Sequence, residues 1–423
     1  MTTPMSFDDP RPDGAPRYSV PPPSSTAKPY VALAGLASGL GVLFAGVSTS
    51  DFISHLDRQV HSIHCSFIPG AGAEIGESGC RTVMLSPYSS LFRDSIWGGL
   101  PISLLAVAVF AYLSMHALRT FLSNKPFTKN ESTYLLLAAM LPALMSLIYA
   151  AIAITKIGAV CKLCVGIYVS SGVTLLAAAI AHMKAAPATT ERPMNVWAKQ
   201  FGEGVVYVAV LAIFYVMFAP SSAKSTSGCG TLVKKDDGSG IMIPMGRGKG
   251  TPAIAVVDPL CPACKGFDER MRVSGLYEKL SIEAVLFPLD ATCNWMVKES
   301  LHPGACAVSE AMLCDRESAE TILDYAFANQ EELRDLAKQD DAKIRQRLEQ
   351  QFPKLKGCLG SPKIKNQVNK SLRWAVSNAL PVLTPQLFIG DKRVCDEDTD
   401  LGLEYTVSSM LEDTHDKPSR SRR

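Results

Sequence analysis

Two short motifs have the residue types and spacing for thiol–disulfide chemistry: Cys261-Pro262-Ala263-Cys264 and Cys161-Lys162-Leu163-Cys164. Cysteines two residues apart can close into a disulfide and reopen by thiolate attack on sulfur. The run TPAIAVV at 251–257 reads as a strand and CPACKGFDERM opens a helix, so Cys261 falls at a helix N-terminus. Free backbone N–H groups and the helix dipole stabilise a thiolate there, and Pro262 suits the first turn. Half of a zinc site is the rival use of a CxxC, but residues 222–423 hold no second CxxC to complete one.

The elements that must hold these pairs are of two kinds. Residues 30–219 contain long apolar runs, whereas residues 222–423 are polar and charged, so a membrane half precedes a soluble half. Five stretches approach or exceed the roughly 20 apolar residues a bilayer span needs: Tyr30–Thr49, Ile96–Leu118, Thr133–Ile154, Ile157–Ala181 and Phe201–Ala219. The segments on one side carry nine Lys and Arg, the opposite short loops four. The positive-inside rule therefore puts the N-terminus in the cytoplasm and the soluble half outside. The first run exceeds a cleavable h-region and acts as a signal anchor. In this topology all twelve cysteines lie on or near the outer face, as expected of a disulfide-bearing extracytoplasmic protein. Cysteines serving as small hydrophobes would scatter among the spans. The net charge of +2 gives no basic surface for nucleic acid.

Residues 1–28, rich in proline, read as a disordered cytoplasmic tail. Gly35 and Gly39 permit close helix packing. Phe52, Leu56, Val60 and Ile63 recur at helical spacing and predict a short helix on the outer membrane surface. His61, His64 and Cys65 lack a matching second ligand set, so no metal is assigned. A loop and the fifth span occupy 183–221, and 222–239 is a linker that begins in the tether-like stretch PSSAKSTSGCGT (220–231). The soluble domain spans 240–412, with strands at 251–257, 282–288 and 385–390 and a helical stretch from Trp295 to Leu380. Residues 413–423 form a disordered tail. Outside the redox motifs stand Cys229, Cys293, Cys306, Cys314, Cys358 and Cys395, with fifteen pairings open. Cys293 and Cys306 bracket a short segment and form one candidate pair, while the others are candidates for stapling the helical stretch.

Two resemblances sharpen this reading. Over about 240–412, the CPAC motif with Thr384-Pro385 before an apolar strand resembles the thioredoxin superfamily, closest to its DsbA-like branch with a helical insertion. That likeness implies a cis-proline at Pro385 lying against the CxxC and a substrate-contacting Thr384. Over about 30–182, the pattern of Cys161, Cys164 and Tyr168, with Cys80 and Ser86 in GCRTVMLSPYSSLF and Cys65 upstream, resembles vitamin K epoxide reductase. The implied fold is a four-helix core plus a linking helix, five transmembrane helices in all, followed by an α/β thioredoxin-fold domain. Cys161 and Cys164 would exchange electrons with a quinone, ubiquinone or menaquinone, while Cys65 and Cys80 shuttle them to a thioredoxin-like partner. Ser86 would support the loop and Tyr168 would line the quinone pocket. Two departures stand out. The Cys65 to Cys80 interval is longer than in the animal enzymes, and Asp94, in DSIWG, replaces their quinone-contacting asparagine. Asp94 and Trp97 are the remaining pocket candidates.

The combined expectation is a multi-pass protein of the bacterial inner (plasma) membrane that supports disulfide formation in exported proteins. Electrons would pass from reduced substrate proteins through Cys261 and Cys264, then Cys65 and Cys80, then Cys161 and Cys164, to the membrane quinone pool. The alternative within enzymes is a disulfide isomerase or reductase on the same scaffold. A metal-handling membrane protein would need Met or His ligands clustered in the spans, and Met140 and Met145 do not make such a cluster.

Overall fold

The computed structural model describes residues 26–56, 79–187, 193–219, 228–245 and 248–415. Its N-terminal half comprises helix α1 (Lys28–Leu56), the short helix α2 (Gly79–Leu85), a small antiparallel pair β1 (Ser90–Leu91) and β2 (Leu100–Pro101), and the helices α3 (Ile102–Leu122), α4 (Lys129–Ile152), α5 (Lys162–Met183) and α6 (Pro193–Phe218). Five of these helices are long and apolar enough to cross a membrane. Helix α1 packs between α3 and α5, α4 covers α5, and α6 leans on α3.

Polarity in this bundle runs opposite to that of a soluble core. Leu36, Leu40, Leu43, Leu147 and Val210 stand exposed on its surface. The interior instead carries small and hydroxyl residues, with Ser38 bonded to Thr174 at 3.2 Å, Ser146 to Ser171 at 2.8 Å and Thr49 to Ser103 at 2.8 Å. That distribution suits lipid, where small residues and interhelical hydrogen bonds bring helices together. Gly35 and Gly39 face α3: a Cβ on Gly35 would lie 3.0 Å from that of Ala117.

The C-terminal half is a five-stranded sheet with helices. Its elements are β3 (Ile243–Met245), β4 (Thr251–Val257), α7 (Pro262–Val273), α8 (Leu276–Lys279), β5 (Leu280–Leu286), α9 (Ala305–Cys314), α10 (Ala319–Ala328), α11 (Gln330–Gln339), α12 (Asp341–Gln351), α13 (Pro362–Ser377), β6 (Gln386–Ile389), β7 (Lys392–Arg393) and α14 (Leu403–His415). The strand order is β3-β5-β4-β6-β7. β4 and β5 run parallel, joined through α7, and β6 is antiparallel to β4. β4 is buried from Ala253 to Val257, as a central strand covered on both faces should be. Helices α9 to α13 form the insertion before β6. Disulfides join Cys229 to Cys395, Cys293 to Cys306 and Cys314 to Cys358, the last stapling the insertion.

Several boundaries differ from the sequence reading. The second span begins at Ile102, not Ile96, because Gly98 and Gly99 both take φ +75° and turn the chain into β2. The fourth begins at Lys162, since a π-turn at Ala153–Ile157 ends on Gly158 in the left-handed region. Phe52 and Leu56 belong to α1 and not to a separate surface helix. Val60, His61, Ile63, His64 and Cys65 lie outside the described residues. The folded soluble half starts before residue 240, because Cys229 is bonded to Cys395 and Leu232 is buried in its core. Residues 295–304 are not helical: the Asp290 carboxylate collects the N–H groups of Thr292, Gly304 and Cys306 and the Ser300 hydroxyl, the local competition by which Asp disfavours helix.

Candidate functional site

In the membrane half, Cys161 is the N-cap of α5, with extended backbone, and its sulfur accepts the Cys164 amide at 3.5 Å. Capping places the sulfur where the helix offers unsatisfied N–H groups. Cys80, in the first turn of α2, is disulfide-bonded, and its sulfur lies 2.8 Å from the Cys161 thiol. A bonded pair is about 2.05 Å apart, so the Cys161 sulfur touches the Cys80 sulfur without being bonded to it. Gly79 makes the approach possible, because a Cβ there would collide with the Val160 carbonyl beside Cys161. Phe44, Val47, Val83 and Leu163 pack around the three sulfurs of Cys80, Cys161 and Cys164. Tyr168 is one helical turn beyond Cys164, on the same face of α5.

In the soluble half, Cys261 is the N-cap of α7 with Pro262 at N1, and both cysteines are buried. The Thr384–Pro385 bond is cis, and the Thr384 carbonyl lies 3.6 Å from the Cys261 sulfur. The hydrogen bond with Cys264 holds the Cys261 thiol down at about 6, helped by His302 and Thr384 and opposed by burial and Asp258. Burial first, and then neighbouring Cys261, push Cys264 well above the ordinary thiol range. One thiol of the pair is thus prepared to attack while the other keeps its proton.

Three residues that the sequence reading did not single out complete this site. Asp258 is fully buried and accepts from the amides of Leu260 at 2.8 Å and Leu289 at 2.7 Å and from His302 Nδ1 at 2.8 Å. Burial would lower His302, but the hydrogen bond and charge of Asp258 outweigh it and raise its pKa. Gln330 donates to the Cys261 carbonyl at 3.1 Å. Asp258 stood three residues before CPAC and was open to notice; His302 carried no signal, being brought in by the Asp290 turn and the Cys293–Cys306 disulfide.

The other sequence candidates are dispersed. Ser86 is buried, donates to the Val83 carbonyl and closes the end of α2. Asp94 is exposed, with Ser95 as its hydrogen-bond partner. Trp97 is not grouped with Cys161 and Cys164: its ring packs with Phe52, Leu56 and Leu401, and its indole donates to Asp398 at 2.9 Å. That bond crosses from the bundle to the soluble half. So do the pair His55–Asp400 at 2.7 Å and a cluster of buried Arg270 and Glu404 with partly buried Arg93. Among the described residues, Cys161, Cys164, Cys261 and Cys264 are the free thiols.

A helical bundle with an apolar exterior, holding a cysteine pair at a helix cap against a disulfide, defines the membrane half as a multi-pass domain built for thiol–disulfide exchange. Residues 32–180, within the membrane half, match the Vitamin K epoxide reductase family. No curated protein and no solved structure matches the chain.

Proposed function

We propose that this protein is a quinone-dependent thiol–disulfide oxidoreductase that oxidises exported proteins. The observation that carries this reading is the 2.8 Å contact of the Cys161 thiol, at a helix N-cap, with the disulfide-bonded sulfur of Cys80. Two redox pairs in contact are what a relay requires. The soluble half is read as a thioredoxin-like domain: β4-α7-β5 with antiparallel β6 and β7, a CxxC at the N-terminus of α7 and a cis-proline beside it support this.

In the proposed sequence, a substrate dithiol reduces the Cys261–Cys264 disulfide and leaves with its own disulfide formed. The Cys261 thiolate next attacks the loop disulfide of Cys80, to which we assign Cys65 as partner, and Cys264 resolves the mixed disulfide. The Cys80 thiolate then attacks the sulfur of Cys161 in the Cys161–Cys164 bond, Cys164 leaves as thiolate, and the Cys65 thiolate attacks Cys80 to resolve the mixed disulfide, which re-forms the loop disulfide and releases Cys161 as thiolate. Cys161 and Cys164 close again as two electrons and two protons leave to a quinone, which becomes quinol. The half-buried face of Cys164 and Tyr168 fits a flat apolar acceptor, since Val160 and Val169 beside it are exposed on the bundle surface. We assign the soluble half and both CxxC motifs to the extracytoplasmic side of the inner membrane, following the charge bias of the loops.

The test uses purified full-length protein in lipid with a reduced substrate protein and a soluble quinone. Quinol should form with one disulfide per quinol, and Cys164→Ala should abolish it. Undiminished quinol formation in that variant would overturn the path.

A further inference from the structure

The contacts between the two halves centre on one arginine. Arg270 lies on α7, the helix capped by Cys261, and its side chain is 1 % exposed. Its Nε donates to the Leu85 carbonyl at 2.8 Å and its Nη2 to the Ser86 carbonyl at 3.1 Å. Its Nη1 reaches both oxygens of Glu404, at 3.0 and 2.9 Å. Glu404, at the start of α14, is also buried and pairs with Arg93 of the bundle at 2.9 Å. Leu85 and Ser86 end α2, whose first turn carries Cys80. The last carbonyls of a helix lack intrahelical donors and carry the negative end of its dipole. Arg270 therefore caps the Cys80 helix from the Cys261 helix.

Around this cluster the contact is closed by apolar packing of Leu401 with Phe52, Leu56 and Trp97. Gly402 allows the approach: a Cβ there would lie 2.6 Å from the Trp97 indole nitrogen and 2.8 Å from Asp398 Oδ1. A guanidinium and a carboxylate buried this fully are costly unless paired and hydrogen-bonded. Separating the halves would return Leu85, Ser86 and both charged groups to water, whereas removing a single member leaves the rest buried and unmatched.

We propose that Arg270, Glu404 and Arg93 form a latch that holds the soluble half docked on the bundle, joining the helix of Cys261 to the helix of Cys80, and that this docking sets the rate of electron transfer between the halves. A tether alone supplies an effective concentration in the millimolar range; the latch adds register, which the tether lacks. The docking part of this inference stands on the contacts above, and its kinetic part rests on the redox reading of the preceding section. Arg270 is accordingly a positioning residue. Lysine should not replace it, because an ammonium lacks the planar fork that serves two carbonyls and a carboxylate together.

The experiment uses the full chain in lipid nanodiscs with Arg270→Ala, Arg270→Lys, Glu404→Gln and Trp97→Phe, the last removing the indole donor to Asp398 and part of the ring packed on Leu401. Hydrogen exchange of residues 84–98 and 399–406 reports docking, and that of β4 and β5 reports the fold. Single-turnover transfer from reduced Cys261–Cys264 to oxidised Cys161–Cys164 reports coupling, with oxidation of a dithiol peptide by the soluble half as the control. We expect at least tenfold faster exchange at the interface and at least tenfold slower transfer in both Arg270 variants. Protection of β4 and β5 and peptide oxidation should stay at wild-type levels. Where β4 or β5 loses protection in an Arg270 variant, Trp97→Phe decides in its place. Unchanged interface exchange overturns the latch, and faster exchange with unchanged transfer overturns its control of rate. If wild-type protein transfers no electrons between its halves, the redox reading fails, while the exchange data still judge docking.

Discussion

Replacing Cys264 by alanine should change Cys261 more than its distance from the sheet would suggest. The hydrogen bond from Cys264 is the largest influence holding the Cys261 thiol at about 6, against about 8.5 for a free cysteine. At pH 7 this makes Cys261 roughly nine-tenths thiolate, and a return to about 8.5 would leave about one-thirtieth. Alkylation of Cys261 at pH 7, in protein whose other reactive thiols are blocked, should therefore slow by up to about 30-fold in Cys264→Ala, and the midpoint of its pH profile should climb by as much as about 2.5 units. The sign for stability follows. A thiol whose folded pKa is depressed stabilises the reduced fold fully above about pH 8.5 and loses that contribution as pH falls through about 6. At pH 7 it amounts to about 1.4 kcal/mol, equivalent to about 30 mV favouring the reduced pair. Reduced wild-type soluble half should thus gain stability between about pH 6 and 8.5 while the disulfide form does not. A midpoint that stays near 6 in Cys264→Ala would refute the assignment and leave the α7 N-terminus and His302 as the source of the shift.

Other perturbations separate the remaining parts of the molecule. Gly79→Ala drives a methyl into the Val160 carbonyl and should move Cys80 off Cys161, slowing quinol formation at least tenfold without changing peptide oxidation by Cys261–Cys264; equal rates in the two proteins would remove Gly79 from the argument. Asp258→Ala leaves the buried amides of Leu260 and Leu289 without their acceptor, at about 1–3 kcal/mol for each unsatisfied group. The soluble half should lose stability in urea titration, and the His302 titration should move down. Opening Cys314–Cys358, which closes 44 residues of separation, should cost about 4 kcal/mol by chain entropy. Melting should detect this while alkylation of Cys261 is unaffected.

What the sequence displayed and what it hid divide along range. The spans were legible because lipid demands long apolar runs, and the place of Cys261 at a helix start was legible because a strand stops just before it, whereas Cys161 read as lying inside its span and is the N-cap of α5. Boundaries failed where glycine decided them: Gly98, Gly99 and Gly158 take positive φ, and no apolar count reveals that. Trp97 read as a residue near the membrane cysteines, yet its indole finds a carboxylate 301 positions away in sequence. His302, Gln330 and Glu404 were invisible for the same reason, since each is an ordinary polar residue until the fold brings it to a cysteine or an arginine.

The two CxxC motifs share one device in different solvents. Each puts its first cysteine at a helix N-cap and its second inside the first turn, with a different partner set against the first sulfur: the Thr384 carbonyl beside Cys261, the Cys80 sulfur beside Cys161. A carbonyl can hold a substrate backbone in register but cannot take electrons, whereas a sulfur can. Under the proposed function, the pair in the soluble half would accept changing protein partners, and the pair in the bundle would serve one fixed partner. That asymmetry makes Arg270 consequential, because it bonds the end of the helix whose first turn carries Cys80 from the helix that begins after Cys261.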